Sequence, residues 1–146
     1  MKIGTARYGE IEIDPARIIS VNDGIIGFPN YRRYIFLPFL EGSPFELFQA
    51  LDQPDLAFVV MNPFVFKADY QFDLGDQDIA DLQVASKEEI QIRVIVTIPH
   101  DPREMTANLQ APLIINEPRL LAKQIILHDS EYTTKHKVFM GGQPVV

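Results

Sequence analysis

The sequence predicts a mainly β fold: a small antiparallel β-barrel-like single domain with one or two short helices. Three observations predict it. From Ile90 to Ile98 the even positions are β-branched and apolar, while Gln91, Arg93 and Thr97 are polar, which is the period of a strand with one face in a core and the other near water. Extended apolar segments recur along the chain between 11 prolines and 8 glycines, with no βαβ spacing. Between Ile90 and Leu127 three such segments follow one another, separated by proline-bearing loops, as in an antiparallel meander. Closing such a sheet removes its exposed edges.

Taken in order, residues 3–13 read as a hairpin turning near Tyr8-Gly9, with Ile11 and Ile13 alternating with Glu10, Glu12 and Asp14. Arg17–Val21 is a short strand closed by the turn-former Asn22-Asp23-Gly24. Gly24-Ile25-Ile26-Gly27-Phe28-Pro29 places glycines where a permissive backbone is needed, and Pro29 holds Phe28 extended. Tyr34–Phe39 is strand-like, with Pro38 at an edge or end. Ser43-Pro44-Phe45-Glu46 has the features of a helix start: a capping serine, proline at the first helical position and glutamate completing a capping box. That short helix would stop at Asp52-Gln53-Pro54-Asp55 and turn Phe45, Phe48 and Leu51 to the core. Leu56–Met61 is a continuous apolar run, read as a central strand ended by Asn62-Pro63.

Phe64–Tyr70 is aromatic-rich, and acidic residues dominate from Asp69 to Val84, where one helical turn starts near Asp76 or Asp78. Ser86-Lys87-Glu88-Glu89 has room for one more turn before the strand at Ile90. Pro99 ends that strand because it has no N–H to donate. The domain is placed at residues 1–140, with 141–146 (Gly141-Gly142-Gln143-Pro144-Val145-Val146) as a frayed tail.

Composition narrows the function. A chain of 146 residues with 47% hydrophobic content makes one domain burying roughly two-thirds of its unfolded surface. No apolar run approaches the ~20 residues of a membrane helix, and Met1-Lys2-Ile3-Gly4-Thr5 lacks the features of a signal peptide. The absence of cysteine removes disulfides and thiolate chemistry and suits a reducing cytoplasm. Monomer is the default state. The net charge of −7 repels a phosphate backbone, and the short basic stretch Lys135-His136-Lys137, flanked by the acidic Asp129 and Glu131, is a weak counterweight. A basic protein partner fits this field better.

No catalytic site can be assembled. His100, His128 and His136 have no metal-ligand spacing, so neither metal nor cofactor is expected. His128-Asp129-Ser130 contains the letters of a triad, but neighbours on extended chain point to opposite faces. Phosphate-binding glycine loops and the nucleophile elbow are missing. Aromatics beside an acidic rim suit protein binding. The nominated surface is Phe64, Phe66, Asp69, Tyr70 and Asp73, with Asn116 as an outlier. A small barrel binding an oligonucleotide or oligosaccharide is the alternative, and it requires an exposed aromatic platform in a positive groove.

Several segments in order carry a family resemblance: Gly24-Ile25-Ile26-Gly27-Phe28-Pro29, Pro44-Phe45, Leu56-Ala57-Phe58, Asn62-Pro63 and Asp69-Tyr70. Val96-Thr97-Ile98-Pro99, Thr106-Ala107-Asn108-Leu109-Gln110-Ala111-Pro112, Ile115-Asn116, Gln124-Ile125-Ile126-Leu127 and Tyr132 continue the series. The chain thereby resembles the flagellar assembly factor FliW family from about Gly24 to His136, with Thr-x-Asn-Leu-x-Ala-Pro the most specific segment. The resemblance implies a non-enzymatic bacterial cytoplasmic protein with a small β-barrel-like fold. It implies binding of flagellin before export, and binding of the RNA-binding translational repressor CsrA, relieving its repression of flagellin synthesis. In that family flagellin and CsrA exchange, and the antagonism is allosteric rather than a cover over the RNA surface.

Overall fold

The computed structural model describes residues 1–128, 130–140 and 143–144. Asp129 and most of the expected tail, Gly141, Gly142, Val145 and Val146, lie outside the described residues.

Seven strands close into a barrel. They are β3 (Ile19–Asn22), β4 (Arg33–Pro38), β5 (Phe45–Ala50), β6 (Ala57–Met61), β7 (Ile90–Thr97), β9 (Leu113–Asn116) and β10 (Leu121–Gln124). They run in the order β7-β6-β5-β4-β3-β10-β9, and β9 pairs back onto β7. The expected meander from Ile90 to Leu127 is present as β7-β9-β10. Every pair in the ring is antiparallel except β10 with β3, where the last strand meets the first in parallel. The short strands β8 (Thr106–Ala107) and β11 (His136–Lys137) extend the sheet beyond β7. β12 (Phe139–Met140) pairs with β13 (Gln143–Pro144).

The barrel lumen is solid. Ile19, Val21, Tyr34, Phe48, Ala50, Val60, Leu113, Ile115 and Ala122 form one buried cluster drawn from the facing strands. Tyr34 and Phe48 stack with ring centroids 4.6 Å apart, and Phe36 lies 4.8 Å from Phe48. Each fully buried side chain of this size contributes about 1.5–3 kcal/mol. The Tyr34 hydroxyl has no partner among the described residues, and burial pushes its pKa up to about 12.

Two layers cover the outside. The hairpin of β1 (Lys2–Thr5) and β2 (Gly9–Glu12) seats Ile3, with the following Ile13, on Ile35 and Leu51. Thr5 shapes its turn, its hydroxyl accepting from the Tyr8 amide (2.8 Å) and donating to the Gly9 carbonyl (2.9 Å). The second layer carries α1 (Asp76–Leu82) and the segments around Tyr70, Met105, Leu109, Ile125, Leu127, Tyr132 and Val138, packed on Phe45, Met61, Val94, Val96 and Ile114. Helix α1 begins where the acidic run predicts it. Its C-terminus closes with Gln83 in the left-handed region (φ 53°) and the Val84 amide donating to the Ile79 carbonyl at 3.1 Å.

One expectation needs correction. Ser43–Glu46 does not open a helix, because Phe45–Ala50 is strand β5 with partners on both sides, β4 and β6. The Ser43 hydroxyl caps a turn instead, accepting from the Phe45 amide at 3.3 Å and donating to the Phe39 carbonyl at 3.0 Å. Phe45, Phe48 and Leu51 are buried, as expected, but from strand β5 and the residue just after it. The apolar face of β7 lies in a core, as its alternation predicts, and that core is the one under the second layer rather than the lumen. Ile90, Ile92, Val94 and Val96 point outward under the second layer, whereas Gln91 and Arg93 share the lumen face with Ile95. At that mouth of the barrel Arg93 Nε donates to Glu46 Oε1 at 2.7 Å.

Gly24 shows why glycine is needed in the loop after β3. Its φ is +68°, and a Cβ there would meet the Phe28 carbonyl oxygen at 2.6 Å.

Candidate protein-binding surfaces

The nominated segment leaves the central strand β6 through Asn62-Pro63. The Asn62 side chain accepts from the Phe64 amide at 2.9 Å and starts a tight turn over Pro63–Val65. A second turn follows at once, with the Tyr70 amide donating to the Lys67 carbonyl at 3.0 Å. Two successive turns splay the aromatic residues apart. Phe64 is 42% exposed, and Phe66 is half-buried with its ring stacked on His136 at 5.8 Å.

Asp69 and Asp73 are exposed, as an acidic rim requires. Asp69 accepts from Lys67 Nζ at 3.0 Å, and that hydrogen bond holds its carboxyl below the usual carboxylate range. Burial, with help from Lys67, lowers the pKa of His136. Tyr70 and Asn116 are placed differently. Tyr70 is 3% exposed and donates its hydroxyl to the Leu109 carbonyl at 2.7 Å, inside an aromatic group with Phe72 and Tyr132. Asn116 is fully buried, and its amide nitrogen donates to the Leu82 and Gln83 carbonyls at 2.7 and 3.3 Å. These two residues act on any partner surface only through the segments they pin.

The structure brings Phe64, Phe66, Asp69 and Tyr70 into one neighbourhood, while Asp73 starts a second. From Asp73 the chain runs beside a groove of about 430 Å³ lined by Phe72, Leu74, Ile79, Val84, Ile90 and Ile92. Its far wall is α1, tied to β10 by Lys123, whose Nζ meets Asp78 at 2.8 Å and Asp81 at 2.7 Å. Those hydrogen bonds raise the pKa of Lys123 and lower that of Asp81.

Sequence reasoning missed a further surface, at the barrel end opposite Arg93. Ile26, Phe28 and Ile126 are 51%, 39% and 48% exposed there, around a cleft lined by Phe58, Ile95, Asn108, Gln110 and Gln124. The Ile26 amide donates to Gln124 Oε1 at 2.8 Å and joins the two loops. A signal for Ile126 was available: it lies between buried Ile125 and Leu127, so it is the apolar residue on the solvent phase of an alternating run. The aromatic residues of the lumen are buried, so they offer no stacking platform to a nucleotide or sugar. Among the described residues no group of three metal-ligating side chains converges.

Comparison with known proteins agrees along nearly the whole chain. The family model described as "FliW protein" matches residues 2–138. A flagellar assembly factor FliW from Natranaerobius thermophilus is 43% identical over 140 residues, covering 95% of this chain and 93% of the relative. One from Bacillus licheniformis is 40% identical over 143 residues, covering 98% and 99%. A crystal structure of the flagellar assembly factor FliW superimposes with a TM-score of 0.91 at 37% identity, covering 96% of this chain and 98% of that one. With the family's pattern running through barrel, covering layers and loops alike, the chain belongs to the flagellar assembly factor FliW family.

Proposed function

We propose that this chain is a cytoplasmic factor that binds flagellin subunits as a chaperone before export. It also binds the translational repressor CsrA and relieves, by an allosteric route, its repression of flagellin translation. Family membership over residues 2–138 is the observation that carries this reading. The net charge of −7 supports it, since a basic RNA-binding repressor is drawn to an acidic surface. So does the arrangement of exposed apolar residues in separate patches beside acidic loops, which suits exchange of protein partners.

Calorimetry with purified flagellin and purified CsrA tests the proposal. Heat with each partner is expected, and none with either at tens of micromolar would overturn it. Adding flagellin to a preformed CsrA complex should release CsrA. For the surface, we place the contact at Phe64, Phe66, Asp69 and Asp73, held in shape by Tyr70 and Asn116. Reversing both charges (Asp69→Lys with Asp73→Lys) should slow CsrA association about tenfold at low salt and flatten its salt dependence. An unchanged on-rate removes both carboxylates from the interface.

A further inference from the structure

The outer covering of β7 and β9 stops short, and the gap has a definite chemistry. Ile90 and Ile92 point out of the barrel from β7, and Ile114 does the same from β9 opposite Ile92. Phe72 and Leu74 cover them from one side, and Ile79 with Val84 from the other. Between these walls lies the groove of about 430 Å³, within the size range that takes several side chains. Ile79 is 38% exposed on its wall, although it belongs to the only α-helix among the described residues.

The charges around the groove are unequal. Asp78 and Asp81 are committed to Lys123, and Glu89 is committed to Arg119 at 2.8 Å. Asp73 on the lining, Asp76 at the start of α1 and Glu88 beside Lys87 are exposed and carry no ion pair among the described residues. Against these three carboxylates stands Lys87. An apolar floor with a net negative rim is complementary to a segment of the opposite pattern.

We infer that the groove receives the apolar edge of a cationic amphipathic segment of a protein partner. Apolar side chains of that segment enter against Ile79, Val84, Ile90 and Ile92, and its lysines or arginines meet Asp73 and Asp76. Apolar burial supplies affinity, and the acidic rim supplies orientation and a faster encounter. The inference rests on the chain being a protein-binding factor, but not on which partner it binds.

The test uses the full chain, isotopically labelled for NMR, and two probes: a short helical peptide of leucine and lysine, and its counterpart with glutamate in place of lysine. The lysine peptide should shift the amides of Leu74, Ile79, Val84 and Ile92, and the glutamate peptide should not bind. Ile79→Gln, and separately Asp73→Asn with Asp76→Asn, should each weaken the lysine peptide about tenfold. Lys87→Glu should tighten it. Asp55→Asn removes an exposed carboxylate in the turn before β6, away from the groove, and should leave affinity unchanged. Shifts centred on Phe64 or on Ile26 and Ile126, or an Asp55→Asn effect as large as that of the groove variants, overturn the inference. Calorimetry of Ile79→Gln with flagellin and CsrA separates the two proposals. Partners that bind this variant as tightly as the parent chain remove the groove as a partner site and leave the proposed function standing. Peptide binding in the groove, with no partner binding by the parent chain, supports the groove and removes the proposed function.

Discussion

Asn116 offers the sharpest check on how the covering layer is attached. It is fully buried on the outward face of β9, and one amide group holds the last carbonyls of α1, from Leu82 and Gln83. Replacing it with alanine removes two hydrogen bonds, about 1 kcal/mol each, and strands at least one buried acceptor at a further 1–3 kcal/mol. The Asn116 oxygen has no partner among the described residues, so its removal gives part of that back. The net expected loss for Asn116→Ala is about 2–3 kcal/mol. Asn116→Asp keeps the shape but turns the donor into an acceptor facing two carbonyls, an uncompensated buried charge that costs about 3–5 kcal/mol.

The pH dependence separates the two variants. Burial beside carbonyls raises the native pKa of the introduced carboxyl above its unfolded value of about 3.9. Stability from a group with a raised native pKa is fully present below the unfolded pKa and is lost as pH rises through the native one. Asn116→Asp should therefore be least stable at neutral pH and should gain on the alanine variant as pH falls toward 4. Urea unfolding of the parent and both variants from pH 7.5 to 4 measures this, with the alanine midpoint expected about 1 M or more below the parent. Hydrogen exchange at the Gln83 and Val84 amides, which donate to Ala80 and Ile79, should quicken in both variants. Two variants within about 0.5 kcal/mol of the parent, or a pH-independent gap between them, would refute the attachment.

Two further outcomes concern the barrel and its covering. Phe48→Ala removes a fully buried ring stacked on Tyr34 and should lower unfolding free energy by about 3–5 kcal/mol in urea; a loss below about 1 kcal/mol contradicts a packed lumen. His136, stacked on Phe66 with a lowered native pKa, should contribute stability that is present above its unfolded pKa of about 6.5 and lost as pH falls through the native value. His136→Asn should then flatten the stability profile just below pH 6.5, and a profile as steep as the parent's points to other groups.

The parts of the fold that were legible in the sequence are those whose signals agree at every level. The alternation of β7 reads as a strand because one face is β-branched throughout, and α1 reads as a helix because acidic residues crowd its first turn. Strand β5 was not legible. Ser43, Pro44 and Glu46 are local signals for a helix, but Phe45, Leu47, Phe48 and Ala50 are buried on alternate faces between two neighbouring strands. Tertiary pairing outweighs a capping box there. Gln49 was equally hidden: it is 1% exposed, and its amide donates to the Ala50, Pro54 and Leu56 carbonyls. A glutamine in a strand gives no advance sign of being a buried stitch. Tyr70 and Asn116 misled in the same way, since a polar tip reads as surface until its buried acceptors are known.

The way the ring closes decides where recognition can happen. Since Tyr34, Phe48 and Val60 fill the lumen to 0% exposure, no ligand can pass through the barrel, and binding is left to its ends and its covered sides. The ends differ in chemistry because β7 carries its one charged residue, Arg93, toward only one of them. Gln91 and Arg93 make one mouth charged, with Glu46 as the partner of Arg93, while Ile95 faces the other beside Phe58 and the exposed Ile26 and Ile126. Turning the apolar face of β7 to the outer layer rather than to the lumen therefore does two things. It sets half-buried Ile90 and Ile92, with buried Ile114, beneath an incomplete outer layer, and it leaves that layer, rather than the lumen, with the apolar groove. A partner that docks there touches α1 and, through Asn116 and Lys123, the strands that close the ring. That is a physical connection between a groove on the side and the seam of the barrel, the route by which the proposed exchange of partners would be transmitted.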